Sequence, residues 1–254
     1  HVDLKKIRYL FGGDLLRQGI ATSMGVEALQ IPMFGLYGAC STSGEALALA
    51  SMSAAAGYGG TMIAVTSSHF GSAEKEFRFP LGYANQRPLS SHWTVTGSGA
   101  FLVQSAEEYR KQNTKSYFSN IRITGVTVGK IVDYGLKDSQ NMGACMAPAA
   151  MDTIVQNFQD MERKEKDYDR IITGDLGSIG RTILFDLIRE KGYDICEKHM
   201  DCGMTIFDKE RQDTHAGGSG CGCAAVTLAS YVLPKLEKGE WKRVLFVPTG
   251  ALMS

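Results

Sequence analysis

The sequence predicts a layered α/β protein in which two related βα halves stack as five layers, α-β-α-β-α, about an internal pseudo-twofold. Three observations carry this. One strand–turn–helix plan occurs twice along the chain. One helix in each copy is apolar on every side, which a helix tolerates only when it is covered on every side. Strands alternate with helices throughout, the pattern of βα units and mainly parallel sheets.

The first copy opens with "KKIRYLFGGDLLRQGIATSMGVEALQI" (5–31): a short β-prone run, a Gly-Asp-Leu turn and an amphipathic helix. Its counterpart is "YDRIITGDLGSIGRTILFDLIREKGYDI" (168–195), with Gly13-Asp14-Leu15 matching Gly174-Asp175-Leu176. The next unit, "GACSTSGEALALASMSAAAGYGGTMIAVTSS" (38–68), is a Gly/Ser/Cys turn, a small-residue helix, a glycine-bearing turn and an apolar strand. "GSGCGCAAVTLASYVLPKLEKGEWKRVLFVPTG" (218–250) repeats it. Thr42-Ser43-Gly44-Glu45 fits a capping box and Gly57 a C-terminal stop, which predicts a helix over 43–56. A second buried helix is predicted over 220–233, packed on the first between two sheets.

The second copy also has a predicted strand in "SNIRITGVTVGK" (119–130) and a predicted helix in "MAPAAMDTIVQNFQDMERK" (146–164). The first copy has neither. The chain also starts at His-Val-Asp without a methionine, so the N-terminal part of the first half is expected to be missing from this sequence. The charged stretch "SAEEYRKQNTKS" (105–116) is the natural joint, giving a first half at 1–110 and a second at 117–254.

Composition narrows the function. The 254 residues are 44% hydrophobic and 21% charged, with 27 acidic against 27 basic residues. Zero net charge supplies no long-range field toward nucleic acid or an anionic membrane, so any anion site has to be a local constellation and no nucleic-acid partner is expected. No apolar run reaches the roughly 18 residues of a spanning helix, and membrane association is expected to be peripheral. The six cysteines form no CxxC pair and sit among small apolar residues, as reduced buried thiols of an intracellular protein do.

Cys40 is the first candidate. It lies at a glycine-marked turn just ahead of a capped helix, where dipole and free N–H groups favour a thiolate. Two readings stand: an activated nucleophile, or a small buried hydrophobe at a helix end that also suits an anion. Cys221-Gly-Cys223, heading the second buried helix, reads as small-residue packing opposite the Cys40 helix. "KHMDCG" (198–203) has His199, Asp201 and Cys202 at a spacing unlike that of a metal site.

The duplicated plan, the cysteine heading the central helix of the first half, and "VTGSGAFLV" (95–103) resemble the thiolase superfamily, which includes the ketoacyl synthases. In that superfamily the cysteine is acylated, and a histidine and an asparagine (or second histidine) from the second half complete the oxyanion and proton-transfer machinery. Here Gly174 of "IITGDLG" falls at about the histidine position, and Gly217 of "HAGGSG", followed by Ser219, at about the asparagine. His215 precedes those glycines. The resemblance therefore implies a retained nucleophile without its partners, which argues against condensation.

A narrower resemblance rests on "GACSTS", "TSSH", "VTGSGA", "MAPAAMDTI", "DYDRIITGDLG", "DCGM", "AGGSGC" and "TGALMS", in that order over the whole chain. These are similar to the stage V sporulation protein AD family of endospore formers. The resemblance implies a non-catalytic protein that binds dipicolinic acid (pyridine-2,6-dicarboxylate), either free or as its calcium chelate, with no cofactor of its own. It further implies work beside membrane-embedded partners of a sporulation transport system at the forespore membrane; a homodimer is what the wider superfamily resemblance implies. Two rival functions remain open: an acyl-thioester enzyme using Cys40, and a structural adaptor in a spore membrane complex. A flat dicarboxylate calls for charge-assisted donors and an apolar wall. His69, after the strand that adjoins the Cys40 helix, and Arg78, between Phe77 and Phe79, are candidates for these, each with a plain structural alternative. Asp175 would repel a free dianion but accept calcium or orient a donor. Its alternative is a helix cap. The loop 77–93 is a candidate lid or dimer contact.

Overall fold

The computed structural model describes residues 3–77, 87–112 and 120–252. Its first sheet runs in the order β2-β1-β3-β5, from β1 (Tyr9–Gly13), β2 (Met33–Gly35), β3 (Thr61–Ser68) and β5 (Gly97–Gln104). β1 pairs in parallel with β2 and β3, and β5 closes the sheet antiparallel to β3. The second sheet runs β7-β6-β9, all parallel, from β6 (Arg170–Thr173), β7 (His199–Asp201) and β9 (Val244–Val247). The orders β2-β1-β3 and β7-β6-β9 are the same plan, so the duplication read in the sequence is present in the topology. A short parallel pair, β4 (Trp93–Thr94) with β8 (Gly218–Ser219), ties one half to the other.

Helices fill the layers according to their patterning. α2 (Thr42–Ala55) lays Ala46, Ala50 and Ala54, spaced four apart on one face, against Phe11, Met62 and Ala64 of the first sheet. α8 (Cys221–Thr227) packs beside it between the sheets, where Cys223 meets Ile172 and Phe101 lies against the same cluster. β6 shows the alternation of a strand buried on both faces. Ile172 faces α8, whereas Ile171 faces the outer cluster formed with α5 (Met142–Asp160) and α6 (Gly177–Glu190). The other outer layer begins with α1 (Ile20–Val26) on β1. α3 (Phe70–Phe77) follows β3, and α4 (Ala106–Gln112) follows β5 at the predicted joint. α7 (Cys202–Thr205) is a single turn after β7.

Four expectations change. The segment 120–132 is not a strand. Both edges of β6 are already taken by β7 and β9, and the segment runs instead along α5. There Thr127 donates to Asp160 and accepts from Asn157, and Lys130 pairs with Asp152 at 2.9 Å. The helix predicted over 146–164 starts earlier, at Met142, because Asn141 caps the amide of Ala144. The second central helix is not continuous: after α8 the backbone passes through a π turn, Leu228–Val232, before α9 (Leu233–Glu237), where Pro234 can donate no amide. The capping box at Thr42 does not form. Thr42 Oγ1 turns back instead, accepting from the Gly38 amide and donating to the Ala39 carbonyl.

Candidate functional site

Cys40 sits in the one-turn 3₁₀ segment Ala39–Ser41 that leads into α2. Ser41 Oγ donates to the Gly38 carbonyl at 2.6 Å, and Thr42 braces the same turn. The thiol is 5% exposed and packs with Leu15, Ala73 of α3 and Cys221 of α8. Opposite it, from the second half, stand Ser219 and Asp175. Cys40 Sγ lies 3.9 Å from Ser219 Oγ. Ser219 Oγ donates to Asp175 Oδ2 at 3.1 Å, and the Gly220 amide donates to the same oxygen at 2.8 Å. Since the serine proton points to the carboxylate, its oxygen is left to accept from the thiol, and the chain reads S–H to O–H to carboxylate.

The electrostatics follow from that order. Burial pushes the Cys40 thiol well above its usual range, and the adjacent Asp175 carboxylate pushes it further the same way. A helix N-terminus alone would favour the thiolate; here desolvation and a negative neighbour win. Asp175 is itself raised to about 6, mainly by burial. Its second oxygen, Oδ1, is buried without a hydrogen-bond partner. The carboxylate is placed by the β6–α6 turn, which Asp201 at the end of β7 holds together. Asp201 accepts from Thr173 Oγ1 at 2.6 Å and from the amides of Leu176, Gly177 and Met204.

The matching position in the first half behaves differently. Asp14 caps its own helix, accepting from the Leu16 and Thr22 amides and from Thr22 Oγ1. Two aspartates of one repeat thus have two roles, and only the second reaches Cys40.

Of the candidates read in the sequence, Cys40, Asp175 and Ser219 come together. Gly174 and Gly217 are backbone positions beside them. A Cβ at Gly174 would come within 3.2 Å of Pro248, and Gly217 holds φ +133 with the Gly203 carbonyl 2.7 Å from where a Cβ would be. Gly217 leaves no space for a side chain as the backbone stands, and at Gly174 Pro248 would have to give way by a few tenths of an ångström. His69 does not join the cluster: it is exposed, and its Nδ1 lies 3.4 Å from the Ser72 amide and 3.3 Å from Ser72 Oγ, a local cap on α3. Arg78 and most of the candidate lid, residues 78–86, lie outside the described residues. His215 turns to the Pro88 carbonyl at 2.8 Å and to Asp213. Cys221 donates to the Ser67 carbonyl, and all six thiols are free. Sequence reasoning missed Asp201 as an organiser and His92, which is fully buried with Nε2 3.2 Å from the Leu176 carbonyl. The only signal for His92 was a histidine in the serine-rich run before β4.

Comparison with known proteins agrees with this architecture. The chain is similar to 3-oxoacyl-[acyl-carrier-protein] synthase III from Aquifex aeolicus, at TM-score 0.55 and 11% identity over 98% of this chain and 74% of that one. It is likewise similar to cerulenin-bound OleA from Xanthomonas campestris, at TM-score 0.61 and 14% identity over 98% and 73%. At such identities the likeness concerns the fold, which is thiolase-like. Stage V sporulation protein AD of Bacillus subtilis (strain 168) is 43% identical over 248 residues, 98% of this chain and 70% of that protein. Residues 1–254 match the family described as Stage V sporulation protein AD. With that match over its whole length, a duplicated βα fold and a buried Cys40 facing a carboxylate, the chain belongs to the stage V sporulation protein AD family of sporulation proteins.

Proposed function

We propose that this chain is a non-catalytic, thiolase-like carrier of dipicolinic acid, which it binds as the calcium chelate for uptake into the developing spore. The observation that carries the reading is the pairing of Cys40 with Asp175. A condensing nucleophile needs a base to take its proton and donors for the oxyanion. Cys40 is instead kept protonated by burial and, beyond that, by the carboxylate it faces, with glycines where the partner side chains would stand. Asp175 Oδ1, buried and unpartnered, repels a bare dianion but suits a hard cation. One carboxylate oxygen is not a metal site, so the remaining ligands have to come from the chelate. α3, which covers Cys40 through Ala73, has to yield to admit it. A peripheral position at the forespore membrane, beside membrane-embedded transport partners and as a homodimer, belongs to the same reading. Among the described residues no helix is long and apolar enough to cross a membrane.

Titration calorimetry with dipicolinate, with and without equimolar calcium, tests the proposal. Binding is expected with calcium and weakened at least tenfold by Asp175→Asn; no heat in either form sinks it. Mass spectrometry after incubation with an acyl-CoA is the second arm. A stoichiometric adduct absent from Cys40→Ala would restore the enzyme reading.

A further inference from the structure

A cleft of about 320 Å³ opens beside β7, the edge strand of the second sheet, lined by none of Cys40, Asp175 or Ser219. Its volume is at the lower end of small-molecule sites, about 300–1,000 Å³. Arg170 enters it from the start of β6 and Arg181 from α6. Arg170 gives one donor to the Asp169 carbonyl and rests its guanidinium 5.4 Å from the Trp241 ring centroid. Arg181 lies 5.7 Å from the Phe185 ring centroid, and its Nε is buried without a hydrogen-bond partner. Among the described residues no carboxylate forms an ion pair with either guanidinium. The nearby Lys235, by contrast, is matched by Glu240 at 2.7 Å.

Of the other polar groups of the cleft, Asp201, Thr205 and His199 are already committed. Asp201 spends both oxygens on one hydroxyl and three amides. Thr173 donates its only hydroxyl proton to Asp201, so toward His199 Nε2, 3.0 Å away, it can only accept. That fixes the imidazole with its proton on Nε2. Burial, with Arg181 adding to it, lowers the His199 pKa to about 3, so the ring stays neutral. The cleft therefore presents two guanidiniums without an ion-pair partner, and its one carboxylate, Asp201, has its oxygens turned to four other donors. Its walls are Met200, Met204 and the edge-on pair Tyr231–Trp241, with ring centroids 6.0 Å apart. Guanidinium forks match carboxylates in geometry as well as charge.

We propose that this cleft is a second ligand site, for a small organic dicarboxylate whose two carboxylates engage Arg170 and Arg181 while its carbon frame lies on the methionines and Trp241. Two unpaired cations select a dianion over a monoanion. The inference does not depend on dipicolinate binding at Cys40.

The probe is isophthalate (benzene-1,3-dicarboxylate), titrated into the full chain by calorimetry and by tryptophan emission. Saturable binding is expected, with an emission change lost in Trp241→Phe and affinity reduced at least tenfold in Arg170→Gln, Arg181→Gln. The single variant Arg181→Gln is expected to lose part of that affinity, and far-UV dichroism confirms that each variant is folded. Benzoate is expected to bind more weakly than isophthalate, whereas Cys40→Ala and Asp175→Asn leave isophthalate binding unchanged. Absence of saturable binding to the wild-type chain overturns the proposal, as does binding that folded arginine variants retain. If dipicolinate binds and depends on Asp175 while isophthalate does not bind, the cleft proposal falls and the reading at Cys40 stands.

Discussion

Cys40 and Asp175 each hold a proton more tightly than in water, chiefly because both are buried; the Asp175 carboxylate raises Cys40 further, whereas the Cys40 thiol, as a donor, offsets part of the rise at Asp175. Iodoacetamide at pH 8 is therefore expected to label the partly exposed Cys145 and Cys196 and to spare Cys40 until the chain is unfolded, as peptide mapping would show. For Asp175 the sign runs opposite to that of a salt-bridged carboxylate. Its folded pKa is about 6 against an ordinary 3.8, so between those values the folded protein keeps a proton that the unfolded chain has released. Stability contributed by this group is full below about pH 4, falls as pH rises through 6, and stays low above it. Asp175→Asn, which keeps an acceptor for Gly220, is expected to be level with wild type at pH 4 and more stable at pH 8. The gain at pH 8 is on the order of 2–3 kcal/mol. Urea denaturation at the two pH values measures this, and a variant less stable than wild type at pH 8 contradicts it. These residues were legible in the sequence because a turn glycine next to a polar residue marks a strand end. His69 carried the same signal and proved to be a local cap, since periodicity says where a turn falls but not which way its side chain points.

The unit that positions Asp175 is the junction of β6, α6, β7 and α7, and one side chain holds it. Asp201 satisfies a hydroxyl and three amides at two helix starts, all within a buried environment where an orphaned donor is costly. Asp201→Ala strands these donors and is expected to destabilise the chain by about 3–5 kcal/mol, read as a drop in urea midpoint. Loss of the calcium-dependent dipicolinate heat is expected to accompany it, because the turn carrying Asp175 loosens. A change below about 1 kcal/mol would mean that water replaces the carboxylate. Nothing in "KHMDCG" announced this role. Three of the four partners of Asp201 come from residues 173–177, only the Met204 amide being local, and long-range satisfaction leaves no local pattern. Element boundaries were legible to within a few residues where a cap was local, as at Met142. They were not legible where a helix is interrupted by a π turn, which has no signature beyond Pro234.

At the scale of the whole molecule the repeat was the most legible feature, since two copies of one plan constrain each other. The order β2-β1-β3 recurring as β7-β6-β9 is what the sequence comparison of 5–31 with 168–195 implied. The failure lies in "SNIRITGVTVGK", which alternates as a strand should yet finds no ladder. β6 has a parallel neighbour on each side, the segment takes up neither outer edge of the β7-β6-β9 sheet, and side-chain contacts to α5 hold it instead. The consequence is measurable. Among the described residues, 122–132 donate no backbone hydrogen bond, and Ile123, Val128 and Ile131 are 49%, 74% and 94% exposed. Amide protons without acceptors exchange at close to the free-chain rate, whereas those of a central strand wait for sub-global opening. Hydrogen–deuterium exchange followed by mass spectrometry is thus expected to saturate peptides over 122–132 within the first seconds, while β3 and β6 stay protected for far longer. If 122–132 instead exchanges as slowly as β6, the segment is paired as its alternation predicted, and the second sheet carries one more strand than β7-β6-β9.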